Sequence, residues 1–208
     1  MLHPHTELRR INQGLGYGVV ATRLIPRGTI IWVLDKLDQT FTRYQIAHIG
    51  KPYSELLDEW SYKLPNGDSV LNWDLARYFN HSCDPSCMNA GMTFEIAVRD
   101  IPPGAELTDD YRMLNKSLPC ECACGSVQCH RRINADDFLH HAPRWDNIVQ
   151  AAFPSIADVE QPLWNIVREK DEIAQALAEP HRIPSCRTNH FFSLGKSVDP
   201  ATAKHWRP

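Results

Sequence analysis

The length, composition and charge of this 208-residue chain exclude several classes of protein. Hydrophobic residues make up 43% of the chain and charged residues 23%, as in a folded globular protein, which excludes wholesale disorder. The formal net charge of −3 gives no electrostatic reason to expect direct nucleic-acid binding, and no apolar run is long enough to suggest a membrane protein. The first residues lack the apolar core of a secretory signal. We therefore expect an intracellular protein, cytoplasmic or nuclear and not secreted, whose cysteines act as metal ligands or free thiols.

The first part of the chain has the pattern of short strands and turns. A glycine-rich turn at residues 14–18 precedes a predicted strand at 19–21, and a Pro-Arg-Gly turn leads to a β-branched run at 29–34 that we expect to pair with it. Apolar residues at helical spacings over 40–60, interrupted at Pro52, predict two short helices. Asn66-Gly67 predicts a hairpin, and Asn72 is expected to cap a short helix reaching Tyr78.

The second part changes from strands to helices. Residues 93–98 and 106–108 predict strands, separated by a Pro-Pro-Gly turn. After Cys129, residues 135–141, 145–153 and 162–178 predict helices, and the remainder from Glu179 is expected to be irregular. The sequence therefore predicts a mainly β fold of several short sheets with short helices and a helical C-terminal extension. That extension is expected either to pack on the domain or to recruit a partner.

The cysteines predict a metal site. Cys122, Cys124 and Cys129 lie within eight residues, where mutual disulfides are geometrically difficult but three thiolate ligands of a tetrahedral zinc ion fit. Cys120 offers an alternative thiolate in the same run. A fourth ligand is required from elsewhere in the chain.

Four motifs occur in a fixed order along the chain. They are GLGYGVVATRLIPRGTII at 14–31, NHSCDPSC from Asn80, ELTDDY ending at Tyr111, and CACGSVQC at 122–129. Together they resemble the SET-domain protein lysine methyltransferases with a post-SET-like zinc segment. The resemblance implies a SET-like fold with a threaded pseudoknot, and domains at 5–112 (catalytic), 118–134 (zinc-binding) and 135–208 (C-terminal extension). It also implies methyl transfer from S-adenosylmethionine to a protein lysine, with histones as the family's best-known acceptors.

The resemblance also implies roles for individual residues. Tyr111 matches the tyrosine whose hydroxyl aligns the lysine amine, and with Asp109 it would line the substrate channel. Zinc would be held by Cys83 of the NHSC motif together with Cys122, Cys124 and Cys129. The cofactor-binding positions are Gly16, Tyr17, Gly18, Arg77, Asn80, His81, Tyr111 and Ile133.

Asp109 departs from the family pattern, which usually has tyrosine or phenylalanine there. An aspartate could hold water or pair with the lysine ammonium, so the number of methyl groups transferred is not predicted. One rival interpretation is a zinc-stabilised peptide-binding module that has lost turnover, and another is methylation of an acceptor other than a protein lysine. We expect a protein partner with an accessible lysine, neither nucleic acid nor membrane, and make no prediction of oligomeric state.

Overall fold

The computed structural model describes residues 1–115, 120–134 and 137–191, which form short strands in small sheets together with four α-helices. The strands are β1 (Thr6–Asn12), β2 (Gly16–Ala21), β3 (Ile30–Val33), β4 (Gln39–Phe41), β5 (Ser61–Lys63), β6 (Ser69–Leu71), β7 (Asn80–His81), β8 (Cys87–Asn89), β9 (Phe94–Ala97), β10 (Glu106–Asp109), β11 (Cys120–Glu121) and β12 (Arg132–Ile133). The helices are α1 (Arg43–His48), α2 (Lys51–Trp60), α3 (Asp137–Ala152) and α4 (Lys170–Ala178). Short 3-10 turns occur at Leu75–Tyr78, Tyr111–Leu114, Phe153–Ala157, Pro180–Arg182 and Cys186–Asn189.

The strands form four small sheets, with the orders β1-β2-β10-β7, β3-β9-β8, β4-β6-β5 and β11-β12 in the described part of the chain. The predicted mainly β fold with several short sheets is confirmed, as is the hairpin at Asn66-Gly67, which joins β5 to β6. The pseudoknot stays a prediction.

The expected pairing of residues 29–34 with the preceding strand is wrong. β2 pairs with β1 and β10, whereas β3 pairs with β9 in another sheet. The separation occurs at the Pro-Arg-Gly turn, where Gly28 has a φ of +89° and a Cβ would lie 2.5 Å from the carbonyl carbon of Ser155. The glycine lets the turn pack directly against the C-terminal extension, so the chain changes sheet there.

The side chains of β9 alternate between two cores. Phe94 and Ile96 pack with Phe138 and Trp145 in the core that the sheet β3-β9-β8 shares with the C-terminal helices. Ala97 belongs to a second core under β2. Because successive strand residues point to opposite faces, Glu95 points away from the helices, toward the side of the second core.

The C-terminal extension packs on the domain, which is the first of its two expected consequences. Residues 145–153 were expected to form a helix of their own, but α3 runs unbroken through Pro143. Its buried face, at Phe138, Ala142, Trp145, Val149 and Ala152, stabilises the turn that lacks the proline N–H. Ala135, Asp136 and residues 192–208 lie outside the described residues.

Two predicted helix starts are also wrong. α4 begins at Lys170 rather than near 162, because Gln161 and Glu169 bond through their side chains to the backbone of Ile30 and Thr93 and hold the segment between them in turns. Asn72 is not a cap; Asp74 accepts the hydrogen bond from the amide of Ala76 and begins the turn. None of the helices in the described part of the chain combines the length and apolar character needed to cross a bilayer.

Candidate active site

A cavity of about 580 Å³ opens beside the sheet β1-β2-β10-β7, a volume that suits a small-molecule or side-chain ligand. Of the residues expected at the site, its wall carries Gly16, Tyr17, Arg77, Asn80, Asp109 and Tyr111. Gly18, His81, Ile133 and the cysteines lie outside this wall. The first two lie in the strands that form one side of the cavity, whereas Ile133 packs with Tyr111 and the thiols.

Strand pairing brings three of the four motifs together. β10 pairs in parallel with β7, which places Thr108 opposite Asn80 and Asp109 opposite His81. Its other end pairs antiparallel with β2, through Glu106 and Leu107. The glycine-rich motif, the Asn-His pair and the ELTDDY motif therefore share one sheet, although 63 positions separate Tyr17 from Asn80.

Asn80 and Gly18 shape the glycine-rich strand. The Asn80 side-chain amide donates to the carbonyl of Tyr17 at 3.1 Å and to Glu106 at 2.5 Å. A Cβ on Gly18 would lie 2.7 Å from that amide nitrogen, so only glycine leaves room for it. Tyr17 is 55% exposed and presents an aromatic face at the mouth of the cavity. Arg77 is also exposed and stacks on the ring of Tyr78.

Tyr111 is buried, and its hydroxyl donates to the carbonyl of Phe79 at 2.6 Å. Burial raises the pKa of Tyr111 well above its ordinary value, and the charge of Asp109 raises it further. The hydroxyl therefore stays protonated at neutral pH. It can orient a substrate through hydrogen bonds but cannot serve as a base.

Two buried carboxyl groups lie on the same cavity wall. The pKa of Asp109 is raised to about 7, mainly by burial and to a smaller extent by the charge of Asp110. The Asp110 amide donates a hydrogen bond to the Asp109 carboxylate at 2.7 Å. The pKa of Glu95 is raised well above its ordinary value, mainly by burial and to a smaller extent by the charge of Asp109. Sequence reasoning missed Glu95, although a charged residue inside the apolar strand Phe94–Ala97 is a recognisable signal.

Three of the four expected metal ligands, Cys83, Cys122 and Cys124, converge next to Tyr111. Among the described residues, the ligand atoms of His81, Cys83, Cys122 and Cys124 lie within 4.8 Å of one another. The Sγ of Cys122 lies 3.8 Å from that of Cys83 and 3.5 Å from that of Cys129. A tetrahedral zinc ion with metal–sulfur bonds near 2.3 Å spaces its sulfurs by roughly 3.8 Å, so these thiols fit zinc. Cys120 packs beside them, and neither Cys120 nor Cys129 is among the four converging ligand atoms, although Cys129 contacts Cys122.

His81 was expected only to contact the cofactor, yet its ring lies against the thiols. The amide of Tyr111 donates to Nδ1 of His81 at 3.1 Å, and burial lowers the pKa of His81 to about 4. A neutral imidazole that accepts at Nδ1 carries its proton at Nε2. That N–H points at the sulfur of Cys83, 3.2 Å away, so with this tautomer His81 donates a hydrogen bond to Cys83.

Backbone amides also point at the sulfurs. The amide of Cys83 donates to Cys124 at 3.4 Å, that of His130 to Cys83 at 3.5 Å and that of Arg131 to Cys129 at 3.4 Å. Burial raises the pKa of Cys83 to about 11, so its thiolate form requires these donors and a bound cation.

The C-terminal extension is anchored to the residues that flank Tyr111. The buried carboxylate of Asp110 accepts from the Nε of Arg112 at 2.8 Å and from the indole nitrogen of Trp145 at 3.1 Å. The guanidinium of Arg112 also bonds to His141, at 2.9 Å. Arg144 donates to the carbonyl of Cys83 at 3.3 Å. Sequence reasoning missed these contacts because they join residues 29 to 61 positions apart.

Comparison with known proteins identifies one domain. Residues 16–112 match the family model described as the SET domain. The relatives include the histone-lysine N-methyltransferase trr of Drosophila melanogaster, 36% identical over 133 residues, and ASHH3 of Arabidopsis thaliana, 28% identical over 137. These alignments cover 57% and 62% of this chain but only 5% and 32% of the relatives.

Among solved structures, the methyltransferase domain of human SETMAR matches with a TM-score of 0.47 and 19% identity, covering 65% of this chain and 60% of that one. The Neurospora SET-domain protein DIM-5 matches with a TM-score of 0.39 and 19% identity, covering 51% of each chain.

Proposed function

Since residues 16–112 match the SET domain, we propose that this chain is an S-adenosylmethionine-dependent methyltransferase that acts on a lysine side chain of a protein. The observation that carries this proposal is the convergence of Tyr17, Asn80, Asp109 and Tyr111 on one cavity. Histones are the first acceptors to test, because the curated relatives are named histone-lysine N-methyltransferases. The same names support an intracellular location, cytoplasmic or nuclear.

S-adenosylmethionine would supply a methyl group activated on a sulfonium. The residues that would bind this cofactor are Tyr17, Asn80, Gly16, Gly18, Arg77, His81, Tyr111 and Ile133. The acceptor amine must be neutral to attack, and an unperturbed lysine is almost wholly charged at neutral pH. Burial beside a cationic ligand favours the neutral amine, and the protonated hydroxyl of Tyr111 can then orient it.

Zinc is the second cofactor in this proposal. Cys83, Cys122, Cys124 and Cys129 would hold it, and His81 would support the thiolate of Cys83 by its hydrogen bond. The ion would attach the cysteine segment to the strand that carries Asn80 and His81. Zinc therefore has a structural role here, and its removal should also weaken cofactor binding.

The rival interpretation, a peptide-binding module without turnover, is favoured by one observation only. Asp109 adds a buried carboxyl where a methyltransferase of this family usually has an aromatic ring. Against it, Tyr111 and Asn80, the residues to which the family resemblance gives roles in transfer, both line the same cavity.

The deciding experiment is a methyl-transfer assay. Zinc-loaded protein is incubated with methyl-labelled S-adenosylmethionine and with histones or a cell-protein extract, and product lysines are identified by mass spectrometry. Tyr111→Phe is compared with Tyr53→Phe, which removes a hydroxyl from a side chain that is 61% exposed. We expect label in a protein lysine with the wild type and Tyr53→Phe, and loss of about a hundredfold in rate with Tyr111→Phe.

Cofactor binding without transfer to any acceptor would favour the peptide-binding module instead. Label in a residue other than lysine would show that the acceptor is wrong.

A further inference from the structure

Glu95 is a buried acid for which the described residues provide no hydrogen-bond donor. It is 8% exposed, and among the described residues none donates a hydrogen bond to its carboxylate. Its side chain lines the cavity, because Phe94 and Ile96 occupy the opposite face of β9. A buried carboxylate without donors is costly unless a ligand supplies hydrogen bonds or a positive charge.

Other polar atoms on the same cavity wall also lack partners within the described ranges. They are the indole nitrogen of Trp32, Oδ1 of Asn72, Oγ1 of Thr93 and Oε2 of Glu169. Trp32 is opposite Glu95 in the β3–β9 ladder and is 4% exposed. Together with Glu95, the acceptors outnumber the donors, so the complementary ligand carries several N–H donors.

Glu95 and Asp109 both line this wall, and burial favours their neutral, protonated forms, so their charged forms would be stabilised only by a bound cation. Asp109 lies close enough to Glu95 and to Tyr111 for its charge to raise the pKa of both. The basic side chains that line the cavity are engaged elsewhere: Lys63 pairs with Asp58 at 3.7 Å and Arg77 stacks on Tyr78. The wall is therefore suited to a cation and continues to the hydroxyl of Tyr111.

We propose that Glu95 binds the ammonium group of the acceptor lysine and so selects lysine that still carries N–H donors. This inference rests on the proposed function and names a specificity-determining residue for it. Each methyl group added to the amine removes one N–H donor and enlarges the cation, and a trimethylated lysine has no donor left. The channel should therefore favour unmodified lysine, with Glu95 as the acceptor of its hydrogen bond.

The test uses small cations, so that it depends neither on a known substrate nor on turnover. The zinc-loaded 208-residue chain with S-adenosylhomocysteine is titrated with n-butylammonium and with N,N,N-trimethylbutylammonium, and binding is followed by NMR. We expect n-butylammonium to bind about tenfold more tightly than the trimethyl cation, and Glu95→Gln to remove about tenfold of that affinity.

Glu59→Gln is the matched control, because it removes the same charge from an exposed residue on the wall of the same cavity. It should leave both affinities unchanged. The indole N–H resonance of Trp32, assigned with Trp32→Phe, gives a second measurement in the wild type and should shift with n-butylammonium but not with 1-butanol. This readout remains available if Glu95→Gln does not fold.

Equal affinity of the wild type for the two cations would overturn the proposal, as would no saturable binding of n-butylammonium or full affinity in Glu95→Gln. A Trp32 resonance that shifts with 1-butanol as well would indicate an uncharged or water-filled subsite and would also overturn it. The methyl-transfer assay separates the two ideas. Methyl transfer together with cation binding that does not depend on Glu95 would contradict only the ammonium site. Cation binding that depends on Glu95, without methyl transfer to any acceptor, would contradict only the proposed enzyme activity.

Discussion

Asp110 and Glu95 are both buried acids near the cavity, but the protein treats them in opposite ways. Asp110 is fully buried and accepts hydrogen bonds from Arg112 and Trp145. Glu95 is almost as buried and has no donor among the described residues. The first is a completed structural junction between the domain and its C-terminal extension. The second is left open toward the cavity, which is what a ligand-binding group requires.

The largest effect is expected where the completed junction is broken. Asp110→Asn removes the charge that pairs with buried Arg112, and we expect the free energy of unfolding to fall by about 3–5 kcal/mol in urea titrations. Asp84→Asn is the control, because its pair with Arg99 is roughly half-exposed and should contribute less than about 1 kcal/mol. Equal losses in the two variants would show that Asp110 is no more important than a surface pair.

The thiol cluster beside Tyr111 allows a second test, which asks which residues hold the metal. Cys129→Ser should lower zinc affinity more than His81→Gln, for which a loss of about 10- to 100-fold is expected because only a supporting hydrogen bond is removed. Competition with a chromophoric chelator measures both affinities. The reverse order would assign the fourth ligand to His81.

Asp109 precedes Asp110 in the chain, and its raised pKa predicts that the stability of the folded protein depends on pH. Its pKa in the folded protein, about 7, lies above its ordinary value of 3.8, so the folded state holds the proton more tightly and stability falls as pH rises between these values. Asp109→Asn should therefore gain stability over the wild type as pH rises from 5.5 to 7, by at most about 1.4 kcal/mol per pH unit. Urea midpoints at four pH values measure it, and a constant difference would contradict it.

The smallest effect is expected from removing one donor of the junction. Trp145→Phe keeps the buried ring and deletes the N–H that Asp110 accepts, so we expect a loss of about 1 kcal/mol in the free energy of unfolding. Trp73→Phe, at a more exposed indole that donates to Asp35, is the control. A loss as large as that of Asp110→Asn would mean that the indole, rather than Arg112, holds the junction.

The sequence by itself determined much of the local structure. Turn residues and periodicity located half of the described strands and both short helices up to Trp60, because these patterns act within a few residues. The spacing of Cys122, Cys124 and Cys129 predicted a metal cluster for the same reason, and the motifs located the residues that meet at the cavity.

Tertiary structure decided the rest. It separated β2 from β3, carried α3 through Pro143 and brought the Nε2 of His81 to within 3.2 Å of the sulfur of Cys83. It also decided that Asp110 has hydrogen-bond donors whereas Glu95 has none in the described part of the chain. These outcomes depend on contacts between residues far apart in the chain, such as Asp110 with Trp145, and no local pattern records which distant group will supply a donor.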